Sequence, residues 1–101
     1  MTFTAKSRHG VAIRLTDERW LHIVEEHCEM AGFLESVLDA IESADAVYQG
    51  SGGEKLAARR LEDGKYLVVV YRELNELDGF VITAFLTRRI SYLEKRRQLW
   101  P

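Results

Sequence analysis

Tyr66-Leu67-Val68-Val69-Val70-Tyr71-Arg72 is the run of the chain richest in β-branched and aromatic residues, and it reads as a central strand. Asp63-Gly64 precedes it, a dipeptide that favours a hairpin turn. The polar stretch Asn75 to Gly79 follows it as a second turn. Its expected partners are therefore Lys55 to Leu61 on one side and Gly79 to Thr87 on the other. Ala46-Val47-Tyr48-Gln49 is a shorter strand closed by Gly50-Ser51-Gly52-Gly53.

Toward the N-terminus the apolar period changes from two to that of a helix. Val11 to Leu15 alternates as a short leading strand. Thr16 then offers a capping hydroxyl, and Asp17 and Glu18 occupy the first turn, where the helix dipole favours negative charge. A helix is expected from Asp17 to Cys28 or Glu29, with Trp20, Ile23, Val24 and His27 on one face and His22 on the other. A second helix is expected from Gly32 to Ser43, carrying Phe33, Leu34, Val37, Leu38 and Ile41. A short helix or tail from Ser91 to Gln98 ends the chain. The expected fold class is α+β: two N-terminal helices packed on a four- to five-stranded antiparallel sheet, with a short C-terminal helix. The sheet's other face is expected to be open, and that is where a ligand would lie.

With 101 residues, 47% of them hydrophobic and 30% charged, the chain has material for one core, so a single domain over 1–101 is expected. The single cysteine, Cys28, excludes an internal disulfide and fits a reducing compartment. Met1 to Lys6 lacks signal-peptide features and no apolar run reaches membrane-spanning length, so a cytoplasmic location without a membrane partner is expected. The net charge of −2 argues against a generic nucleic-acid coat, but it is an average of unlike halves. Residues 1–50 hold four basic against nine acidic residues, a net of −5, and residues 51–101 hold ten against seven, a net of +3. Such asymmetry fits either an anionic ligand or ordinary solvated charge.

His22 and His27 flank Glu25 and Glu26. A helical metalloprotease pair needs its histidines four positions apart; here the step is five, which separates them by roughly 140° around the helix. No metal site is expected. His27, near the helix end within the apolar arc, is a proton-transfer candidate or a structural histidine packed beside Trp20. His9, in a turn with Gly10, is uninformative. Strand alternation places Lys55, Ala57 and Arg59 on one face and Leu56, Ala58 and Arg60 on the other, and either arginine would be a planar donor for phosphate. Val81, Thr83, Phe85 and Thr87 are expected to share a face. Lys95, Arg96 and Arg97 read as a solvated helix face that could add attraction for RNA.

Trp20-Leu21-His22-Ile23-Val24-Glu25-Glu26-His27 in the first helix, the second helix, the Asp45-Ala46-Val47 strand entry, the Arg59-Arg60 strand, Leu67 to Val70 and Val81 to Phe85 occur in an order that resembles the phage-associated branch of the barnase–EndoU–colicin–RelE ribonuclease superfamily. The resemblance covers about residues 13–88, the expected core. It implies a metal-independent endoribonuclease, toxin-like or a phage-derived effector, needing no cofactor and acting by 2′-OH attack on RNA. Carried over by position, His27 matches a helix histidine, Arg59 or Arg60 a strand cation, and Thr83 a last-strand hydroxyl. His22 matches a frequent second histidine, although the helical wheel turns it away. Lys55, Tyr66, Arg72, Thr87, Arg88 and His22 are further candidates for substrate contact. RNA is the expected partner, and a cognate inhibitor protein a second one. The alternative is a catalytically silent module of the same fold that binds RNA or a protein.

Overall fold

Thr2-Phe3-Thr4-Ala5-Lys6 alternates polar and apolar side chains, and in the structure, a computed structural model that describes residues 1–101, it is strand β1 (Thr2–Lys6). It pairs antiparallel with β2 (Ala12–Thr16), Phe3 opposite Leu15 and Ala5 opposite Ile13. Thr16 caps the helix that follows: its hydroxyl accepts from the Arg19 N–H at 3.1 Å, and α1 runs Asp17–Glu26. A 3-10 turn over Cys28–Met30 leads to α2 (Leu34–Glu42). Then come β3 (Ala46–Gln49), β4 (Lys55–Arg60), β5 (Tyr66–Glu73) and β6 (Gly79–Thr87). One turn of helix, α3 (Ser91–Glu94), and a short strand, β7 (Gln98–Trp100), finish the chain.

All seven strands form one sheet in the order β1-β2-β6-β5-β4-β3-β7. The antiparallel run from β3 to β6 follows the expected meander. The rest corrects the expected architecture of two N-terminal helices on a four- to five-stranded antiparallel sheet. There are seven strands, a hairpin precedes the helices, and the sheet is mixed because β2 lies parallel to β6. The expected C-terminal helix stops at Glu94, because extended residues 98–100 can pair with β3 and pack Leu99 and Trp100 against the core.

Two apolar clusters hold the sheet. On one side Ile23 of α1 and Val37, Ala40 and Ile41 of α2 pack on Ile13, Leu15, Val47, Ala57, Leu67, Val69, Tyr71, Val81 and Ala84. On the other, Leu93 of α3 closes over Tyr48, Leu56, Ala58 and Val68, with Phe85 and Ile90 at the margin. At roughly 25 cal/mol per Å² of apolar surface removed from water, each fully buried Leu, Ile or Val side chain contributes about 1.5–3 kcal/mol. The second face of the sheet, expected to be open, is thus covered at its centre by the segment that crosses from β6 to β7. No helix of the chain is long and apolar enough to cross a membrane.

Val81 does not share a face with Thr83. Val70 is opposite Thr83 but Tyr71 is opposite Val81, so Ile82 is an extra residue in β6. This bulge sends Val81 into the helix-side core and leaves Thr83, Phe85 and Thr87 on the other face.

Candidate functional site

His27 terminates α1, its backbone N–H donating to Ile23 O at 2.7 Å. What it meets there depends on how β2 and β6 diverge. They pair only at Ile13–Gly79 and Arg14–Phe80, so beyond Phe80 strand β6 has a neighbour on one side only, β5. Helix α1 and the 3-10 turn lie along that free edge, where the Arg19 guanidinium donates to Ile82 O at 3.4 Å. The His27 ring thereby reaches the Phe85 ring, centroids 6.2 Å apart and planes at 36°. Its Nδ1 lies 3.7 Å from Glu29 Oε2, and its side chain is about one-third exposed.

Phe85 sits between Thr83 and Thr87 on the face that α3 partly covers. On that face Thr87, Tyr66 and Arg60 form one cross-strand row, since Tyr66 is opposite both Thr87 and Arg60. Two strand spacings separate Thr87 from Arg60, about 10 Å. Arg60 is exposed, and its guanidinium has no ion-pair or hydrogen-bond partner within the chain. The Arg60 N–H is held instead, donating to Asp45 Oδ2 at 2.6 Å. Beside it lies an open cleft of about 700 Å³ lined by Asp45, Arg59, Arg60, Leu61, Glu62, Asp63 and Lys65. Arg88 bonds the Asp63 carbonyl at the cleft's edge.

The other sequence candidates lie elsewhere. Arg59 points to the helix side, where it donates to Ser43 O at 2.6 Å and lies 3.5 Å from Asp39 and 4.0 Å from Asp45. It joins the end of α2 to β4. Thr83 is on the same face as Arg60 but four residues along β6 from Thr87, about 13 Å. Between them runs the Ala58–Val68–Phe85 row that Ile90 and Leu93 cover. Arg72 bonds Gly52 O at 2.9 Å. His22 pairs with Glu26 on the exposed side of α1.

Lys55 belongs to a cluster that no sequence signal announced. Its Nζ is 2.9 Å from Glu73, which also accepts from Ser7 Oγ at 2.7 Å and lies 3.7 Å from His9 Nδ1. Burial pushes the Glu73 carboxyl up, but the hydrogen bonds from Ser7 and Lys55, with the charges of Lys55 and His9, outweigh it and hold the group below the usual carboxylate range. Tyr71, cross-strand from Lys55, is fully buried, and its hydroxyl has no partner. Burial, then the Glu73 charge, pushes that phenol far above its ordinary range. These residues come from the β1–β2 turn, β4 and β5, so their meeting was invisible in local spacing. Nowhere do three His, Cys, Asp or Glu side chains gather as a metal-ligand set.

Compared with family models, curated proteins and solved structures, the chain matches none. The functional reading rests on these residues and their placement.

Proposed function

We propose that the protein is an endoribonuclease of the toxin-like or phage-derived kind, cleaving RNA without a metal through attack of the 2′-OH on the adjacent phosphorus. The observation that carries this reading is the position of His27 at the free edge of β6, its ring near that of Phe85, whose side chain is on the same face as the unpaired Arg60. A one-third exposed imidazole is accessible to substrate.

In this mechanism His27 takes the 2′-OH proton as the O2′–P bond forms. The P–O5′ bond breaks and water protonates the leaving oxygen, so the products are a 2′,3′-cyclic phosphate and a 5′-hydroxyl. Positioned proton transfer contributes about 10²–10⁴-fold. Arg60 supplies charge to the non-bridging oxygens, with Lys65 of the cleft and Arg88 nearby. Thr87, in the same cross-strand row as Arg60, orients the phosphate, and Tyr66 offers a ring to an unpaired base.

The test is incubation of labelled RNA with wild type, His27→Ala and Arg60→Ala in EDTA. Chelator-resistant cleavage to cyclic-phosphate ends, lost in both variants, is expected. Absence of cleavage of every RNA tried sinks the reading. One observation favours a second reading, a silent RNA-binding module. Thr83 and Arg60 stand on either side of the row covered by Ile90 and Leu93, too far apart to hold one phosphate between them.

A further inference from the structure

Residues 88–97 carry the chain from the end of β6 across β5, β4 and β3 to β7, a span of four strand spacings or about 19 Å. This strap has two sides. Its inner side is apolar: Leu93, 6% exposed, and Ile90 pack on the sheet. Its outer side carries Arg88, Arg89, Lys95, Arg96 and Arg97, all exposed, against one carboxylate, Glu94.

None of the five cations is in an ion pair. Arg88 and Arg96 bond only carbonyls, of Asp63 and Gln49, although the Arg96 charge is among those that hold the nearby Glu54 carboxyl below its ordinary range. The strap's backbone is nonetheless fixed. Gln49 N–H donates to Arg97 O at 2.9 Å, Arg96 N–H donates to Leu93 O at 2.8 Å, and Arg8 stacks 4.1 Å over the Trp100 ring just beyond. The cations are therefore held in register on a stiff support, which lowers the entropy cost of engaging several of them at once.

The helical layer on the opposite side carries the reverse charge. Asp17, Glu18, Glu25, Glu26, Glu29, Glu35, Asp39 and Glu42 face solvent around α1 and α2, with Arg19 the one cation among residues 17–42. The sheet and the side-chain layers on it, packed at about 10 Å per layer, stand between the two. The two charged layers are thus separated by the thickness of the domain, and none of the acidic side chains there pairs with a strap cation. A second feature points to the kind of anion. Tyr92, 63% exposed, stands in the middle of the strap with Lys95 Nζ 6.0 Å from its ring. An exposed aromatic flanked by unpaired cations is the combination by which single strands are held, bases stacked and backbone neutralised.

We propose that the strap is a track for the backbone of single-stranded RNA, with Tyr92 as a stacking platform for one base. The track begins at the Arg60–Lys65 cleft, which Arg88 borders through Asp63, and ends at the β3–β7 edge. This rests on RNA as the partner but not on its being cut.

The experiment measures binding of a labelled single-stranded dodecamer RNA to His27→Ala protein, by anisotropy, over a series of salt concentrations. Each phosphate neutralised on a single strand contributes about −0.7 to the slope of log K against log salt. Replacing the exposed Arg89, Lys95 and Arg97 together by Gln is expected to flatten the slope by about 2 and to weaken binding at least tenfold at about 0.1 M salt. Tyr92→Ala is expected to weaken binding about tenfold with the slope unchanged. Circular dichroism melts identify variants that fail to fold; Lys95→Gln and Tyr92→Ala alone supply the same readouts at smaller size.

An unchanged slope and affinity in the triple variant overturns the proposal. So does equal or tighter binding of poly-glutamate, which would make the strap a dock for acidic polypeptide. Cleavage of a dinucleotide by protein with His27 intact is read separately. Lost slope without cleavage keeps the track and removes the nuclease; cleavage with an unaltered slope does the reverse.

Discussion

The His27 imidazole and the Phe85 ring lie 6.2 Å apart, centroid to centroid, across the free edge of β6. A helix residue is thereby brought near a side chain on the face of the sheet that its own helix does not cover. Glu29 Oε2 lies 3.7 Å from the imidazole Nδ1.

If His27 performs the proton transfer, His27→Ala lowers RNA cleavage by about 10²–10⁴-fold while thermal melts stay close to wild type. Phe85→Leu keeps most of the buried volume but loses the ring contact. A smaller fall, about tenfold to 10²-fold, is expected from the misplaced imidazole. Single-turnover rates of the two variants, compared with their melts, check the order.

Arg59 and Arg60 separate by readout. Arg59→Ala removes the bond to Ser43 O and the contacts with Asp39 and Asp45, so urea unfolding should show a loss of about 1 kcal/mol. Arg60→Ala should leave unfolding unaltered and lower cleavage about 10²-fold, the usual effect of removing an aimed donor. The opposite pattern would mean that the helix-side arginine serves the substrate.

The Glu73 cluster sets an acid limit on stability. A carboxyl held below its usual range contributes stability that is fully present above about pH 4.3, its unfolded value. That contribution is lost as pH falls through the lower folded pKa. Urea midpoints from pH 7 to 2 should fall more steeply for wild type than for Glu73→Gln, which also starts from a lower midpoint at pH 7.

Tyr71 sets an alkaline limit. Its phenol is raised in the folded state by burial and by Glu73, so the neutral form is favoured there, and stability falls once pH exceeds about 10, where the unfolded phenol ionises. Because the hydroxyl has no partner, Tyr71→Phe should raise stability by about 1 kcal/mol and remove this part of the alkaline loss. A destabilised Tyr71→Phe would show that the hydroxyl is bonded in solution.

Leu93 pins the strap. Truncation to Ala removes its contact with Tyr48, Leu56, Ala58 and Val68, with an expected cost of about 2–3 kcal/mol. Hydrogen exchange should rise in residues 88–100 before the rest of the sheet opens. Uniform exchange across the chain would instead mean that strap and sheet unfold as one unit.

Much of the central architecture was legible because its signals are local. Gly79–Thr87 reads as a strand end to end, the β-branched run Tyr66–Arg72 marks the strand that extends to Glu73, and Lys55–Arg60 lies within the expected Lys55–Leu61 with its side chains alternating between the two faces. The opposite orientations of Arg59 and Arg60 follow from that alternation alone. The alternation failed at Ile82, where an extra residue reverses the faces and no residue type marks the bulge. Thr2–Lys6 carries no strand signal of its own, because five residues of modest hydrophobicity form a strand only when Ala12–Thr16 is there to pair with them. The helix expected to carry Lys95, Arg96 and Arg97 stops at Glu94, because Leu99 and Trp100 pull that segment toward the β3 edge.

The amino-acid sequence was sufficient for the periods of the main elements, for the two faces of β4, and for the division into an acidic first half and a basic second half. These depend on neighbours within a few positions, where backbone geometry fixes which side chains share a face. Only the tertiary structure decided that β2 runs parallel to β6, that the strap covers the second face, and that His27 meets Phe85 while Lys55 meets Glu73. Each of these joins residues from separate elements. Such pairings are chosen by which surfaces can be buried together once the whole chain closes, a competition that no local pattern records.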